Sequence, residues 1–437
     1  MKKLASLALA AALLSSNAAA APYAYVPDIV SDKLTVFDMG AGVAVSRYAV
    51  PDGFGSAGVV GFMRGVVVRP GLIPDEIYIT NHNTDELMTF NLLTGLITGR
   101  CKTGTLTSTS RGVAITPLGD KIIVTNESET TSGKDVQIFT LPLTPASCAA
   151  ASNIDRRFDY DGNSTIDDPG NAYSAAVNPA GTFAYIPLGI RSVGVLNLTT
   201  KAWVKLIDVG ASSGPTFVTF NLAGTEAYVT LTNGKIAVIN TGTNAVSTFI
   251  TVGAVPQMAV VSGTLLYVLN LSDKSISIVD TITHVVLNTL VIGSNINSLN
   301  VLTATGELIV ADDDLNEIHR YAVAPPFLQG PAISGGNLTF PGPKWTPIPI
   351  STLGPTVPNL PVWSNIPVQS ALAGQAVSFD LSTFLAITLG VTSYTLTGAL
   401  PTGLSFNNSN GKITGNTSVE GSVIDPAKRS MNKAQAA

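Results

Sequence analysis

Residues 228–240 read YVTLTNGKIAVIN, the clearest copy of the pattern that decides the fold. The stretch opens with an alternating apolar run, turns at Thr-Asn-Gly and continues with a second alternating run. Alternation with a period of two is typical of β-strands, and Asn-Gly is typical of the turn between two of them. The stretch therefore predicts a β-hairpin.

The same pattern recurs along most of the chain. Its seven copies start at Tyr25, Tyr78, Ile123, Tyr185, Tyr228, Tyr267 and Ile309. A strand such as RGVVVRPGLIPDE or RGVAITPLGDK precedes most copies and another, such as VSTFITVG, follows. The spacing matches the roughly 40–50 residues of a four-stranded blade. Because a single blade leaves its faces and edges exposed, the repeats predict an all-β, seven-bladed β-propeller over residues 21–340.

Closure of the ring needs one more strand. The first copy starts at what would be the second strand of its blade, so its first strand must come from beyond Ile309. We expect AISGGNLTF, residues 332–340, to supply part of this closure.

These repeats resemble a known family. YITN, IVTN and YVLN, the last followed by SDK and SIVD, are similar to the Tyr-Val-Thr-Asn (YVTN) β-propeller repeat. The resemblance covers about residues 23–340, and the copies YIPLGI and IVADDD depart from it. It implies a propeller and an exported location, without implying a reaction.

The N-terminus predicts export. Residues 1–20 combine a basic Met-Lys-Lys, an apolar run and an Ala-Ala-Ala cleavage site, as in a secretory signal peptide. No stretch reaches the ~18 apolar residues of a membrane helix. The sequence thus predicts a secreted, periplasmic or cell-surface protein with no transmembrane segment.

Charge and cysteine content narrow the function classes. The net charge is −5, and no block of Lys or Arg offers an electrostatic basis for binding nucleic acid. In an oxidising compartment, Cys101 and Cys148 are expected to form a disulfide between adjacent blades. Two free thiols are the alternative.

The C-terminal part predicts a small β-sandwich-like domain. Residues 341–361 are proline-rich and predict an extended linker. Residues 362–424 include LPTGLSF and GKITG and resemble immunoglobulin-like, cadherin-related domains of bacterial surface proteins. That domain looks partial, because residues 425–437 are a poor strand former and predict a disordered tail. Its open edge could accept a strand from a second copy or another partner, or it could be covered by the linker; a truncated module with a frayed tail is the alternative.

The insertion at residues 155–171 carries the sharpest local motif. Asp159, Asp161, Asn163, the Thr165 carbonyl and Asp167 fall at positions 1, 3, 5, 7 and 9 of an EF-hand-like loop, which predicts a structural Ca²⁺ site. Ser164 replaces the usual glycine at position 6, and Gly170 replaces the usual glutamate at position 12. An ordinary solvated acidic turn is the alternative. The same alternative is favoured for the second acidic run, residues 312–314.

Catalytic signatures are scarce. The three histidines, His82, His284 and His319, lie in separate repeats without metal-ligand spacing. No nucleophile elbow or phosphate-binding glycine loop occurs, so no catalytic or cofactor-binding residue is assigned.

The sequence favours a non-enzymatic binding or scaffold protein that engages a protein, peptide or glycan at the cell envelope. Propellers bind through loops, which makes residues 80–86, 126–135 and 155–171 the candidates. The alternative is a hydrolase or lyase, similar to lactonases or streptogramin lyases, with a divalent metal at the channel mouth. It would be favoured if candidate groups lay within about 6 Å of each other. Those groups are His82, Arg111, Glu127, Asp312 and His319.

Overall fold

The structure is a computed structural model. It describes residues 23–28, 33–39, 42–49, 63–70, 76–91, 95–104, 110–127, 133–160, 163–302, 306–312, 314–315, 317–323, 327, 329–334, 351–352, 369–371, 376–380, 404–407, 412–416 and 421–424. The predicted signal peptide, most of the predicted linker and the predicted tail lie outside the described residues. The chain divides into two compact units, Met1–Thr356 and Val357–Ala437.

The first unit consists almost entirely of strands. Its first ten are β1 (Tyr23–Asp28), β2 (Lys33–Asp38), β3 (Val43–Ala49), β4 (Met63–Val68), β5 (Glu76–Asn81), β6 (Glu86–Asn91), β7 (Leu96–Lys102), β8 (Ser110–Ile115), β9 (Lys121–Asn126) and β10 (Val136–Thr140). A short helix, α1 (Pro145–Ala149), follows. The remaining strands are β11 (Ser152–Ile154), β12 (Ala176–Val177), β13 (Phe183–Leu188), β14 (Ser192–Asn197), β15 (Ala202–Asp208), β16 (Pro215–Phe220), β17 (Glu226–Leu231), β18 (Lys235–Asn240), β19 (Ala245–Thr251), β20 (Pro256–Ser262), β21 (Leu265–Asn270), β22 (Ser275–Asp280), β23 (Val285–Val291), β24 (Ile296–Leu302), β25 (Glu307–Asp312), β26 (Glu317–Ala322), β27 (Ile333–Ser334) and β28 (Ser351–Thr352).

These strands form seven four-stranded antiparallel sheets, which confirms the predicted seven-bladed β-propeller. The sheets are β28-β1-β2-β3, β4 to β7, β8 to β11, β12 to β15, β16 to β19, β20 to β23 and β24 to β27. All seven predicted copies start on the second strand of a blade. The first strands contact one another in a closed ring that runs from β28 through β4, β8, β12, β16, β20 and β24 back to β28.

The aromatic residue of each repeat explains why these strands pack as blades. Side chains on the second strands, among them Tyr78, Tyr185 and Tyr228, are almost fully buried. Core clusters combine residues of neighbouring blades, so each blade buries its apolar face against the next. One cluster joins Ala24 and Phe37 of the first blade to residues of the seventh. The closed ring is therefore stabilised by the same kind of core as every other blade junction.

The strand that closes the ring differs from the predicted one. Tyr25 pairs with Ser351 of β28, so the first strand of the first blade does come from beyond Ile309. Residues 332–340 were expected to supply part of it, but their described strand, β27, pairs with Glu317–Ile318 of β26, and residues 335–340 lie outside the described residues. The prediction was wrong because the seventh blade needs its own fourth strand, and the segment following β26 is the nearest one to its free edge.

Repeated turns connect the third and fourth strands. In the fourth blade, the Asn197 side chain accepts hydrogen bonds from the backbone of Thr199 (2.8 Å) and Thr200 (2.9 Å). Lys201 then takes a left-handed conformation with φ of 58°. His284 occupies the equivalent position in the sixth blade, with φ of 59°. His284 is therefore a turn residue.

A disulfide between Cys101 of β7 and Cys148 of α1 joins the second and third blades, as predicted. Their Cα atoms are 5.3 Å apart. α1 is positioned for this link by a reciprocal cap in which Ser147 N donates to Thr144 Oγ1 (3.1 Å) and Thr144 N donates to Ser147 Oγ (2.8 Å). Within the described residues, no helix is long and apolar enough to cross a membrane.

The described residues of the second unit form two small antiparallel sheets. Its strands are β29 (Gln369–Ala371), β30 (Ala376–Asp380), β31 (Leu404–Asn407), β32 (Lys412–Asn416) and β33 (Gly421–Ile424). β29 pairs with β33, and β32 lies between β30 and β31. The described parts of the LPTGLSF and GKITG motifs lie on β31 and β32, where Phe406 pairs with Ile413. The predicted open edge adjoins residues outside the described part of the chain and stays a prediction.

Candidate functional site

The predicted candidate residues lie at one end of the propeller, which we call the upper face. At this end the first strands begin, the second strands end and the third strands begin. His82, Glu127 and Asp312 lie at the ends of second strands, Arg111 lies at the start of β8, and His319 lies at the start of β26. The candidate loops 80–86, 126–135 and 155–171 also connect strands at this end. The sequence therefore identified the loops of a single face.

A recurring β-bulge aims polar side chains toward the upper face. In five blades the register of the first strand shifts around its second residue. The extra residues are Arg64, Arg111, Thr216, Gln257 and Asn297. A bulge redirects its side chain and bends the strand, and all five of these residues are polar. In the sequence, these bulge residues can be recognised as the polar second residue of a first strand.

Glycine follows both arginines for a steric reason. A Cβ at Gly65 would lie 2.5 Å from the Val113 side chain of the next blade. A Cβ at Gly112 would lie 2.8 Å from the backbone oxygen of Tyr173. In each Arg-Gly pair the arginine thus places its side chain at the channel mouth, and the glycine leaves room for the neighbouring blade to approach closely.

Five side chains from three blades form what we call the arginine cluster: Arg64, His82, Arg111, Glu127 and Tyr173. Arg111 Nη1 pairs with the Glu127 carboxylate. Arg64 Nη1 and His82 Nε2 each lie 3.8 Å from Glu127 Oε1. The Arg111 guanidinium lies over the Tyr173 ring, 4.4 Å from its centroid, in a cation–π contact. Sequence reasoning named His82, Arg111 and Glu127, and it missed Arg64 and Tyr173.

Burial makes this cluster electrostatically unusual. Burial, and then the Arg64 charge, lower the pKa of His82 to about 4, so His82 is neutral near pH 7. Burial, and then Arg64, lower the pKa of Arg111 to about 10, which leaves it protonated. Two cations face one carboxylate, so the cluster carries an excess of one positive charge.

The hydrogen bond of His82 defines its tautomer. Its Nδ1 lies 3.0 Å from the carbonyl oxygen of Ser110. Because a carbonyl only accepts, the neutral ring keeps its proton on Nδ1, and Nε2 presents a lone pair toward Glu127 and Arg64.

Arg64 has unused hydrogen-bonding capacity. Its side chain is only 14% exposed. Its Nε and Nη1 atoms are buried without a hydrogen-bond partner in the part of the chain that the structure describes. Buried donors of this kind are costly to leave unpaired, so an incoming acceptor would be favoured.

The lowered pKa of His82 predicts a pH-dependent stability. A folded-state pKa of about 4 against about 6.5 unfolded means that the folded state binds fewer protons. The stability is complete above pH 6.5 and is lost as the pH falls toward 4. The expected loss is about 3 kcal/mol, at ~1.4 kcal/mol per pKa unit. Urea unfolding from pH 7.5 to 4 measures it. His82→Asn, which keeps a donor for Ser110, should flatten the slope; an unchanged slope would assign it to other groups.

The second group of candidates, in the seventh blade, is separate from the arginine cluster. His319 Nε2 lies 3.0 Å from Asp312 Oδ2, and Gln329 Nε2 donates to His319 Nδ1 at 3.0 Å. Ser294 Oγ donates to the same Asp312 carboxylate and not to His319, so these residues do not form a nucleophile–base pair. Asp312 is buried, contrary to the predicted solvated turn, and it accepts from Leu315 N as a turn residue. Asp313 lies outside the described residues.

The insertion folds back on itself through its polar side chains. Asp159 accepts from the backbone of Asn163 (3.1 Å) and Ser164 (2.8 Å), and Asn163 Oδ1 accepts from Thr165 N (2.7 Å). Ser164 has φ of 67°, the left-handed conformation that glycine provides at this position of calcium loops. Asp167 Oδ2 accepts from Tyr160 N (3.2 Å). Asp161 lies outside the described residues. Within the described residues, no three His, Cys, Asp or Glu side chains are placed together to hold a metal ion.

A buried ion-pair network anchors the insertion to the third blade. Arg156, only 3% exposed, pairs with the fully buried Asp135 and, through Nε, with Asp168 Oδ1 at 2.8 Å. Phe158 stacks on Trp203, with ring centroids 5.9 Å apart. Trp203 Nε1 in turn donates to the Asp155 carbonyl at 2.6 Å. The insertion therefore has a rigid base on the upper face.

Comparison with known proteins defines the class of each unit. Residues 359–426 match the family described as Putative Ig domain (He_PIG), which agrees with the predicted resemblance of residues 362–424. The resemblance of the propeller repeats to the YVTN family stays a prediction, since this match covers only the C-terminal segment. Comparison with curated proteins gives no match.

One solved structure is similar in fold to this chain. A functionally unknown protein from Desulfotomaculum acetoxidans is similar, with a TM-score of 0.57 and 13% identity over 76% of this chain and 99% of that chain. Kuenenia stuttgartiensis hydrazine synthase gives a TM-score of 0.47 and 12% identity over 62% and 86% of the two chains, too weak a likeness to carry an argument. The first similarity extends to the fold alone. The chain is thus a seven-bladed β-propeller protein followed by a segment similar to an Ig domain.

Proposed function

We propose that this chain is an exported binding protein, without catalytic activity, that engages a protein, peptide or glycan at the cell envelope through the upper face. The arginine cluster is the observation that carries the proposal. It joins side chains of three blades into a recessed cationic site, and buried donors of Arg64 lack partners among the described residues. Rigid scaffolds that present loops at one end are suited to recognition.

A glycan and peptide array tests the proposal with the full-length protein. Wild type should bind, and the double substitution Arg64→Gln with Arg111→Gln should lose at least about tenfold in affinity, as expected for charged hydrogen bonds. Arg320→Gln is the matched control. It removes a similarly buried Arg–Glu pair at the opposite end of the propeller, with Glu307, and should bind like wild type. Equal binding by the double variant would place the ligand elsewhere.

A structural Ca²⁺ in the insertion belongs to the same proposal. It is supported by the ligand spacing, by the left-handed Ser164 and by the rigid base at Arg156. The ion would order loop 155–171 on the binding face, with oxygens of Asp159, Asp161, Asn163, Thr165 and Asp167 as ligands. Calorimetry with CaCl₂ should show binding that Asp159→Ala abolishes. If titration of the wild type with CaCl₂ produced no heat, the loop would be an ordinary solvated turn that binds no calcium.

A hydrolase or lyase is the second candidate, favoured by the approach of both His82 and Arg111 to within 4 Å of Glu127. The Nε2 lone pair of His82 could accept a proton, while Arg64 could stabilise an anion. The two arginines would repel a divalent metal at this position, so this chemistry would proceed without one. Turnover of an array ligand that His82→Asn abolishes while binding persists would establish the enzyme.

A further inference from the structure

We propose that the ligand of the upper face is an acidic glycan whose sugar carboxylate binds between Arg64 and Arg111. This inference rests on the proposed binding function and specifies its ligand. It is argued from charge, from the geometry of the arginines and from the character of the other bulge residues.

Charge balance favours a single carboxylate. The cluster carries an excess of one positive charge, because Glu127 neutralises only one of the two arginines and His82 is neutral. One carboxylate would bring the recessed site to neutrality, whereas a doubly charged phosphate would leave it anionic. Buried sites that are electrically balanced avoid a large desolvation cost.

The arginines are held ready for a planar anion. Arg111 is fixed between the Glu127 carboxylate and the face of Tyr173, so little side-chain entropy remains to be lost on binding. Arg64 lies 3.8 Å from Glu127 Oε1, too far for a hydrogen bond, and its Nε and Nη1 have no other partner in the described parts of the chain. Unpartnered guanidinium donors beside a second arginine favour a charged acceptor such as a carboxylate.

The remaining bulge positions favour a sugar over a peptide. Thr216, Gln257 and Asn297 occupy the positions equivalent to the arginines in the fifth, sixth and seventh blades. All three are neutral and can both donate and accept, as sugar hydroxyl groups do. The Gln257 side chain is half-buried, whereas Thr216 Oγ1 already shares a hydrogen bond of 2.8 Å with Thr230 Oγ1. Together these positions offer side-chain donors and acceptors to a ligand rich in hydroxyl groups, so we take the sugar as the occupant and the acidic peptide as the alternative to be tested.

Calorimetry on the full-length protein tests the inference with three probes. The first is a trimer of galacturonic acid, the second is its methyl ester, which keeps the sugar but blocks the carboxylate, and the third is an acidic tetraglutamate peptide. The acid trimer should bind wild type and Arg320→Gln equally. The affinity of the acid trimer should be about tenfold or more lower for Arg64→Gln than for wild type, and about threefold or more lower for Gln257→Ala. The methyl ester should bind wild type about tenfold or more weakly than the acid trimer does.

The outcomes separate this inference from the proposed function. Binding of the peptide but not of the acid trimer would overturn the glycan and leave the binding function standing. Equal binding of acid and ester, or an unchanged affinity in Arg64→Gln, would overturn the carboxylate. If none of the probes binds but the array yields another ligand, only this inference fails. If the array also shows no ligand, the proposed function fails with it.

Discussion

A chain that ends at Ser334 should lose the cooperative unfolding of the propeller, whereas a chain that ends at Thr356 should keep it. The two differ by the segment that contains β28, which pairs with β1 and contacts the first strands on both sides, β24 and β4. Without it, the first blade has three strands and the ring of first strands is open. We expect the shorter chain to be less stable by at least about 3 kcal/mol, because an opened blade junction exposes the core it had buried.

Urea unfolding followed by circular dichroism compares the two chains. The chain ending at Thr356 is the matched control, because it lacks the second unit but keeps every strand of the propeller. Similar midpoints and slopes for both would contradict the closing role of Ser351–Thr352. A shallower transition of the shorter chain alone would show that blades unfold separately once the ring is open.

Replacement of Arg156 by alanine should lower the free energy of unfolding by about 3–5 kcal/mol, the range for breaking a buried ion pair. The Asp135 carboxylate would remain fully buried without its cation, and Asp168 would lose its anchor. Burial already raises the pKa of Asp135 despite the pairing with Arg156, so the carboxylate depends strongly on that partner.

Arg191→Ala is the control for this prediction. Arg191 pairs with Asp208 on the surface, where both side chains are more than half exposed, so we expect no measurable loss of stability. Urea unfolding of both variants at pH 7 measures the difference. Equal losses would show that burial does not strengthen the Arg156 network. Binding assays on Arg156→Ala would also show whether the insertion contributes to the upper face.

Much of the site could be predicted because its residues follow from the repeat. His82, Arg111 and Glu127 were named as polar groups of separate repeats that could converge at the channel mouth, and the structure brings them to one cluster. Arg64 was missed although RGVVV and RGVAI share the same Arg-Gly. Its partner Glu127 belongs to the following blade, and no local pattern states which side chain of one blade reaches which turn of the next.

The sequence by itself determined the seven-bladed propeller and the Cys101–Cys148 pairing, because blades are local units whose apolar period and turns recur many times. Only the tertiary structure decided how the ring closes and what gathers at its mouth. A two-residue strand such as Ser351–Thr352 carries no period of its own and becomes a strand only because the open edge of β1 needs a partner. The arginine cluster arises likewise from blades that meet in space, where bulges and glycines bring Arg64 and Arg111 together around one carboxylate.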